Sequence, residues 1–142
     1  MQWGTTLAFI ADCYSPALVL LGLILLTTRV SSYGIRTGIY DSLSIVLPLA
    51  FIYGFMFVDN DIGLWHAASL DYSTHTAFAL VWVLFTCQSS KKLLLPTIIS
   101  LVCYFILMMY LQYHSLADIV TTSMAVTPVI YMVMAKMRRN LV

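Results

Sequence analysis

Charge is what this sequence has least of. Only 9% of its 142 residues are Asp, Glu, Lys or Arg, against 61% hydrophobic, and the mean hydropathy is +0.92. A soluble domain carries roughly 25% charged residues to cover its surface, so that class is excluded. A formal net charge of +1 provides no basic face, so no nucleic-acid partner is expected. Cysteine is sparse as well. Cys13, Cys87 and Cys103 stand far apart with no C-x-x-C, and read as small buried apolar side chains. The first residues, MQWGTTLAFIADC, have no basic region and no small-residue cleavage site, so they read as mature chain rather than as a signal peptide. Repeats, low-complexity segments and flexible linkers are absent, which leaves one domain over residues 1–142.

What the chain does have is continuous apolar runs. A hydrocarbon core about 30 Å thick takes roughly 20 apolar residues per helix. Five runs qualify, at about 5–28, 41–58, 73–88, 93–112 and 116–136. None alternates polar with apolar, so a β-barrel is not indicated. The expected fold is all-α, an integral membrane bundle of about five transmembrane helices. Pro16, Pro48, Pro96 and Pro128 fall in or near these spans and are expected to kink them.

The few charges then orient the bundle. With five spans, all seven basic residues (Arg29, Arg36, Lys91, Lys92, Lys136, Arg138 and Arg139) share one side. The positive-inside rule makes that side cytoplasmic, with the N-terminus outside and the C-terminus inside. The opposite side collects Asp59, Asp61, His66, Asp71, His75, His114 and Asp118. Asp41 is the one acid at the inner end, and Asp12 lies in or near the outer third of the first span. Trp3, Trp65, Tyr110 and Tyr113 fall near the outer interface, where aromatic anchors are expected.

Two segments on the outer side carry the chemistry. In YHSLADIV, His114 and Asp118 are four apart and would share a helix face. A carboxylate on one imidazole nitrogen fixes the tautomer and frees the other nitrogen as base or nucleophile. His75 opens the third span from the same side. Two histidines and one carboxylate are enough for a nucleophile, an orienter and a general acid. Other readings remain beside this one. The pair can be a hydrogen bond between helix ends, or His66, His75, His114, Asp71 and Asp118 can form a metal or proton site.

The segment Asp71-Tyr-Ser-Thr-His-Thr76, followed by a span, resembles the S-G-H-T motif of the type 2 phosphatidic acid phosphatase superfamily. His114-Ser-Leu-Ala-Asp118 resembles its H-x-x-x-D motif, in the same order and one helical hairpin away. Sphingomyelin synthases, a branch that moves a phosphorylated head group between lipids, carry similar motifs. The resemblance covers about 71–125. It implies a lipid phosphatase or phospho-head-group transferase that needs no cofactor or metal. It also implies His114 as nucleophile through a phosphohistidine intermediate, Asp118 as its orienter and His75 as general acid. Ser73 would hold a phosphate oxygen, and Thr74, Asp71 and Tyr113 would line the substrate site. Thr74 stands where the motif has glycine, Met108 stands where an arginine is usual, and the family's first basic motif is missing from 59–70. With no lysine or arginine on the outer face, a singly charged phosphodiester suits the site better than a dianionic phosphate.

The expected substrate is a membrane lipid or polyprenyl phosphate in the bilayer, and an oligomer or partner subunit is expected to complete the pocket of so short a chain. The expected location is a bacterial inner (plasma) membrane with the site facing the periplasm or outside. The competing expectation is a catalytically degenerate relative that binds lipid or serves as an accessory subunit of a membrane complex.

Overall fold

A computed structural model describes the backbone of residues 2–140 and the side chains from residue 4 onward, so the Trp3 anchor lies outside the described residues. The described chain is helical with no strand. It runs through α1 (Gln2–Tyr33), α2 (Ile35–Ile62), a short α3 (Leu64–Ala67), α4 (Thr74–Ser89), a 3-10 turn (Lys91–Leu93), α5 (Leu94–Tyr110) and α6 (Leu116–Arg139). Four of these segments are long and apolar enough to cross a membrane: Gly4–Tyr33, Ile35–Ile62, Lys91–Tyr110 and Leu116–Arg139. The protein is an all-α membrane bundle.

The fifth expected span is α4, and it differs from the rest. Its 16 residues rise only about 24 Å. It packs against α1, α2, α5 and α6, so it is the centre of the bundle. Nine of its residues are buried, including Val81, Trp82 and Phe85, and they leave it apolar on every side. A helix that is hydrophobic all round belongs inside others. Its neighbours instead turn Leu20, Val46, Leu95 and Met132 outward, as lipid-facing helices do. Cys13 and Cys103 are also exposed on those outer faces rather than buried, because a membrane bundle has no water to hide a thiol from.

The first linker proved much shorter than the charge pattern suggested. Residues 29–41 are helical except for Gly34, whose φ of 86° turns the chain in a region that favours glycine. Nothing else in that stretch stops a helix, and side chains hold it. Arg29 Nε donates to Asp41 Oδ2 at 2.6 Å, joining α1 to α2. Two further arginines make contacts at the same end. Arg36 donates to the carbonyl of Asn140, and Arg138 to Ser89 Oγ. We call this the basic end.

At the opposite end, Trp65 Nε1 donates to Thr121 Oγ1 at 3.1 Å. The Trp65 ring packs edge-on against Phe55 and Tyr72. Trp65 therefore ties α3 to α6 rather than serving only as an interfacial anchor. Pro16, Pro48 and Pro128 lie inside helices, whereas Pro96 is in the first turn of α5, where its missing N–H leaves no gap.

Candidate active site

The histidine end is built on two helix starts. Ser73 caps α4: its Oγ accepts from the Thr76 backbone N–H at 3.2 Å and donates to Thr76 Oγ1 at 2.9 Å. Ser115 caps α6 in a full capping box, in which its Oγ accepts from the Asp118 N–H and Asp118 accepts from the Ser115 N–H. Both caps follow from a serine placed three residues before a polar partner, at the start of an apolar run.

These caps change two expectations. Ser73 is fully buried, and its own N–H donates to Thr122 Oγ1 at 3.0 Å. Its hydroxyl is committed to the helix start, and it lines neither of the two cavities at this end. The expected contact between His114 and Asp118 is also replaced. His114 precedes the cap and is not helical, so the four-residue spacing does not put it over Asp118. Asp118 turns its Oδ2 to Ser115, accepting from the backbone N–H at 2.8 Å and from the hydroxyl at 2.7 Å. Its Oδ1 accepts from the Asp71 N–H at 2.8 Å. The carboxylate is thus a buried brace between residues 71 and 115.

That brace places Asp71 against His114. Asp71 Oδ2 lies 3.4 Å from His114 Nδ1. Nδ1 is buried but has no hydrogen-bond partner, so the two groups are close without being aligned. Burial pushes the His114 imidazole below its ordinary pKa of 6.5, and His75 adds to the effect, while Asp71 and Asp118 oppose it. His114 is therefore neutral at neutral pH, with a lone pair to offer. Its ring centroid is 6.1 Å from that of His75.

Two cavities open here. One, of about 490 Å³, is lined by Asp71, Tyr113, His114, Ser115 and Asp118. The other, of about 280 Å³, is lined by Asp12, Ser15, Tyr53, Thr74, His75 and Phe78. The structure therefore sets Asp71, Tyr113, His114 and Asp118 around one cavity and Thr74 and His75 around the other, with the two imidazoles 6.1 Å apart, and leaves Ser73 behind the helix start. His66 is exposed on α3 and takes no part. Among the described residues, no three of His, Cys, Asp or Glu come close enough together to hold a metal ion, which removes the geometric basis for the metal reading.

The partner of His114 was not evident from spacing, because Asp71 is 43 residues away and only the cap connects them. Tyr53 was missed as a site residue, and Asp12, a functional candidate as an acid within the first span, was given no assigned role, since the depth of both depends on how far α1 and α2 extend past α4. Compared with family models, with curated proteins and with solved structures, the chain matches none of them.

Proposed function

We propose that the protein is a membrane-embedded lipid phosphatase or phospho-head-group transferase whose reaction is run by His114 and His75. The observation that supports this most is the meeting of two imidazoles, from separate helix starts, at 6.1 Å. A phosphorus atom about 3 Å from a His114 nitrogen would leave its departing oxygen within reach of His75. Neutral His114 attacks phosphorus and forms the N–P bond. The bond from phosphorus to the leaving alcohol breaks, and protonated His75 gives its proton to that oxygen. Water or a second alcohol then attacks the phosphohistidine, His75 takes up the proton of that nucleophile, and His114 is released.

Asp71, 3.4 Å from Nδ1, steadies the positive charge that develops on the His114 ring as the N–P bond forms. Asp118 acts one step back, as a positioning residue that holds Asp71 and Ser115 on either side of His114. The starts of α4 and α6 bring positive partial charge to an end that has no lysine or arginine. They suit a phosphodiester with one negative charge. By the positive-inside rule the histidine end faces outward, which in a bacterial inner membrane is the periplasm. The test is release of phosphate or head group from a panel of phospholipids and polyprenyl phosphates by the purified protein. Turnover by wild type that is lost in His114→Ala supports the reading, and equal turnover in the two proteins sinks it.

A second reading, a lipid-binding accessory subunit without turnover, draws on the lack of a guanidinium at the histidine end and on the committed Ser73 hydroxyl. Its signature is a folded, lipid-bound wild type that releases nothing from any lipid in the panel.

A further inference from the structure

Asp12 is exposed ten residues into α1, on a helix that otherwise faces lipid or its neighbours. A carboxylate in such a place is costly unless something uses it. Among the described residues, no Lys, Arg or His lies within ion-pair distance of it. It lines the 280 Å³ cavity together with Ser15, Tyr53 and His75. That cavity is smaller than the ~300–1,000 Å³ typical of drug-sized ligands, so it suits a small head group.

The cavity does not end at the polar groups. Ser15 and Phe78 also line an adjoining groove of about 500 Å³ with Pro16, Val19, Leu20 and Leu23. The groove runs along α1 where Phe78 of α4 meets it, and the eight helical steps from Ser15 to Leu23 cover about 12 Å of membrane depth. Beside the groove the two helices close up. A Cβ on Gly22 would collide with the buried ring of Trp82, so the helices touch there with no space left. The site is thus amphipathic, with a polar pocket above and an apolar trough below.

From this geometry we infer that the pocket and groove bind an aminophospholipid, with its primary ammonium on Asp12 and an acyl chain in the α1/α4 groove. A primary ammonium has three N–H donors. Asp12, Ser15 and Tyr53 line one cavity, and each side chain carries an oxygen able to accept a hydrogen bond. A quaternary ammonium has no N–H to give them and prefers an aromatic enclosure instead. An uncharged glycerol head leaves the carboxylate unpaired. The inference names the substrate class for the proposed enzyme and rests on that reading only for what His75 then does. Binding itself does not depend on it.

The experiment is competition for a fluorescent lysophospholipid on the purified, detergent-solubilised protein. The competitors are lysophosphatidylethanolamine, lysophosphatidylcholine, lysophosphatidylglycerol and chain-free O-phosphoethanolamine. The ethanolamine lipid is expected to bind about tenfold more tightly than the glycerol lipid, a difference that one partly shielded ion pair supplies. Asp12→Asn should erase that preference, and His114→Ala should keep it. O-phosphoethanolamine should compete at least about a hundredfold more weakly than its lipid, because the chain supplies the rest of the binding. Equal binding of the ethanolamine and glycerol lipids overturns the inference. So does a preference that survives Asp12→Asn, or a choline lipid that binds as well as the ethanolamine one. O-phosphoethanolamine that competes as well as its lipid overturns the chain groove. Turnover separates the two claims. Asp12-dependent binding without any head-group release would leave the lipid site standing and remove the enzyme. Release that is indifferent to head group would do the reverse.

Discussion

The two ends of the bundle each bury an aspartate, and they satisfy it in opposite ways. At the basic end Asp41 is 1% exposed and is met by the guanidinium of Arg29. Charge cancels charge, and the junction is closed. At the histidine end Asp118 is 7% exposed and is met by two backbone N–H groups and one hydroxyl. Neutral donors satisfy the lone pairs but leave the negative charge uncancelled. No cation has to stand beside it, so the imidazoles nearby keep their nitrogens for other work. One end is a clasp. The other is a frame around reactive groups.

The sharpest way to test that difference is to remove one group from each end. His114→Ala should cut turnover by more than about 10³-fold while leaving the thermal midpoint unchanged, as seen in parallel head-group release and melting measurements. Asp41→Ala should do the opposite. It strands Arg29 and should cost about 3–5 kcal/mol of stability. The double variant Arg29→Met with Asp41→Leu should recover most of that loss, and failure to recover it would mean the junction does more than cancel charge.

Asp118→Ala is expected to cost about 2 kcal/mol, from a lost cap and lost charge-assisted hydrogen bonds, and also to lower turnover by releasing residues 71 and 115. Asp118→Asn should recover the fold only in part, because an amide offers one acceptor oxygen where the carboxylate uses two. Unfolding in detergent, followed alongside activity, reads both effects.

The smallest effect is expected from Asp71→Asn, and it lies in the pH profile. Asp71 holds the His114 pKa up against burial. Removing its charge should move the acid limb of activity to lower pH while costing turnover modestly, about tenfold. The corresponding stability trend follows from the depressed His114 pKa itself. The unfolded chain binds the proton more readily than the folded one, so His114 withdraws stability as pH falls below 6.5. A pH titration of melting in wild type and His114→Ala isolates that contribution.

Much of this architecture could be read from the sequence, because hydropathy speaks directly about spans. The start of α4 at Thr74 and of α6 at Leu116 fell within a residue of expectation, since Ser73 and Ser115 signal both. Arg29, Arg36 and Arg138 do make their contacts at one end. The stretch 29–41 misled because its charges suggest a loop, whereas only Gly34 breaks its helix. The site was legible as a set of residues and less so as a set of contacts. His114 and Asp118 have helical spacing, but Ser115 captures Asp118 first, and a cap competes with a side-chain pair in ways that spacing alone does not reveal. The contact between Asp71 and His114 spans two helices and has no local signature.

The shortness of α4 bears on how the site is held. A helix of about 24 Å falls short of a hydrocarbon core of about 30 Å, so by itself it would leave polar ends in oil. Its neighbours remove that penalty by surrounding it. α1 and α2, joined at Gly34, precede it in the chain and are each long and apolar enough to cross a bilayer. With α5 and α6 they wall it in on all sides. The segment that carries His75 thus owes its place in a membrane to its neighbours, and a change that loosens any of them would unseat the histidine as well.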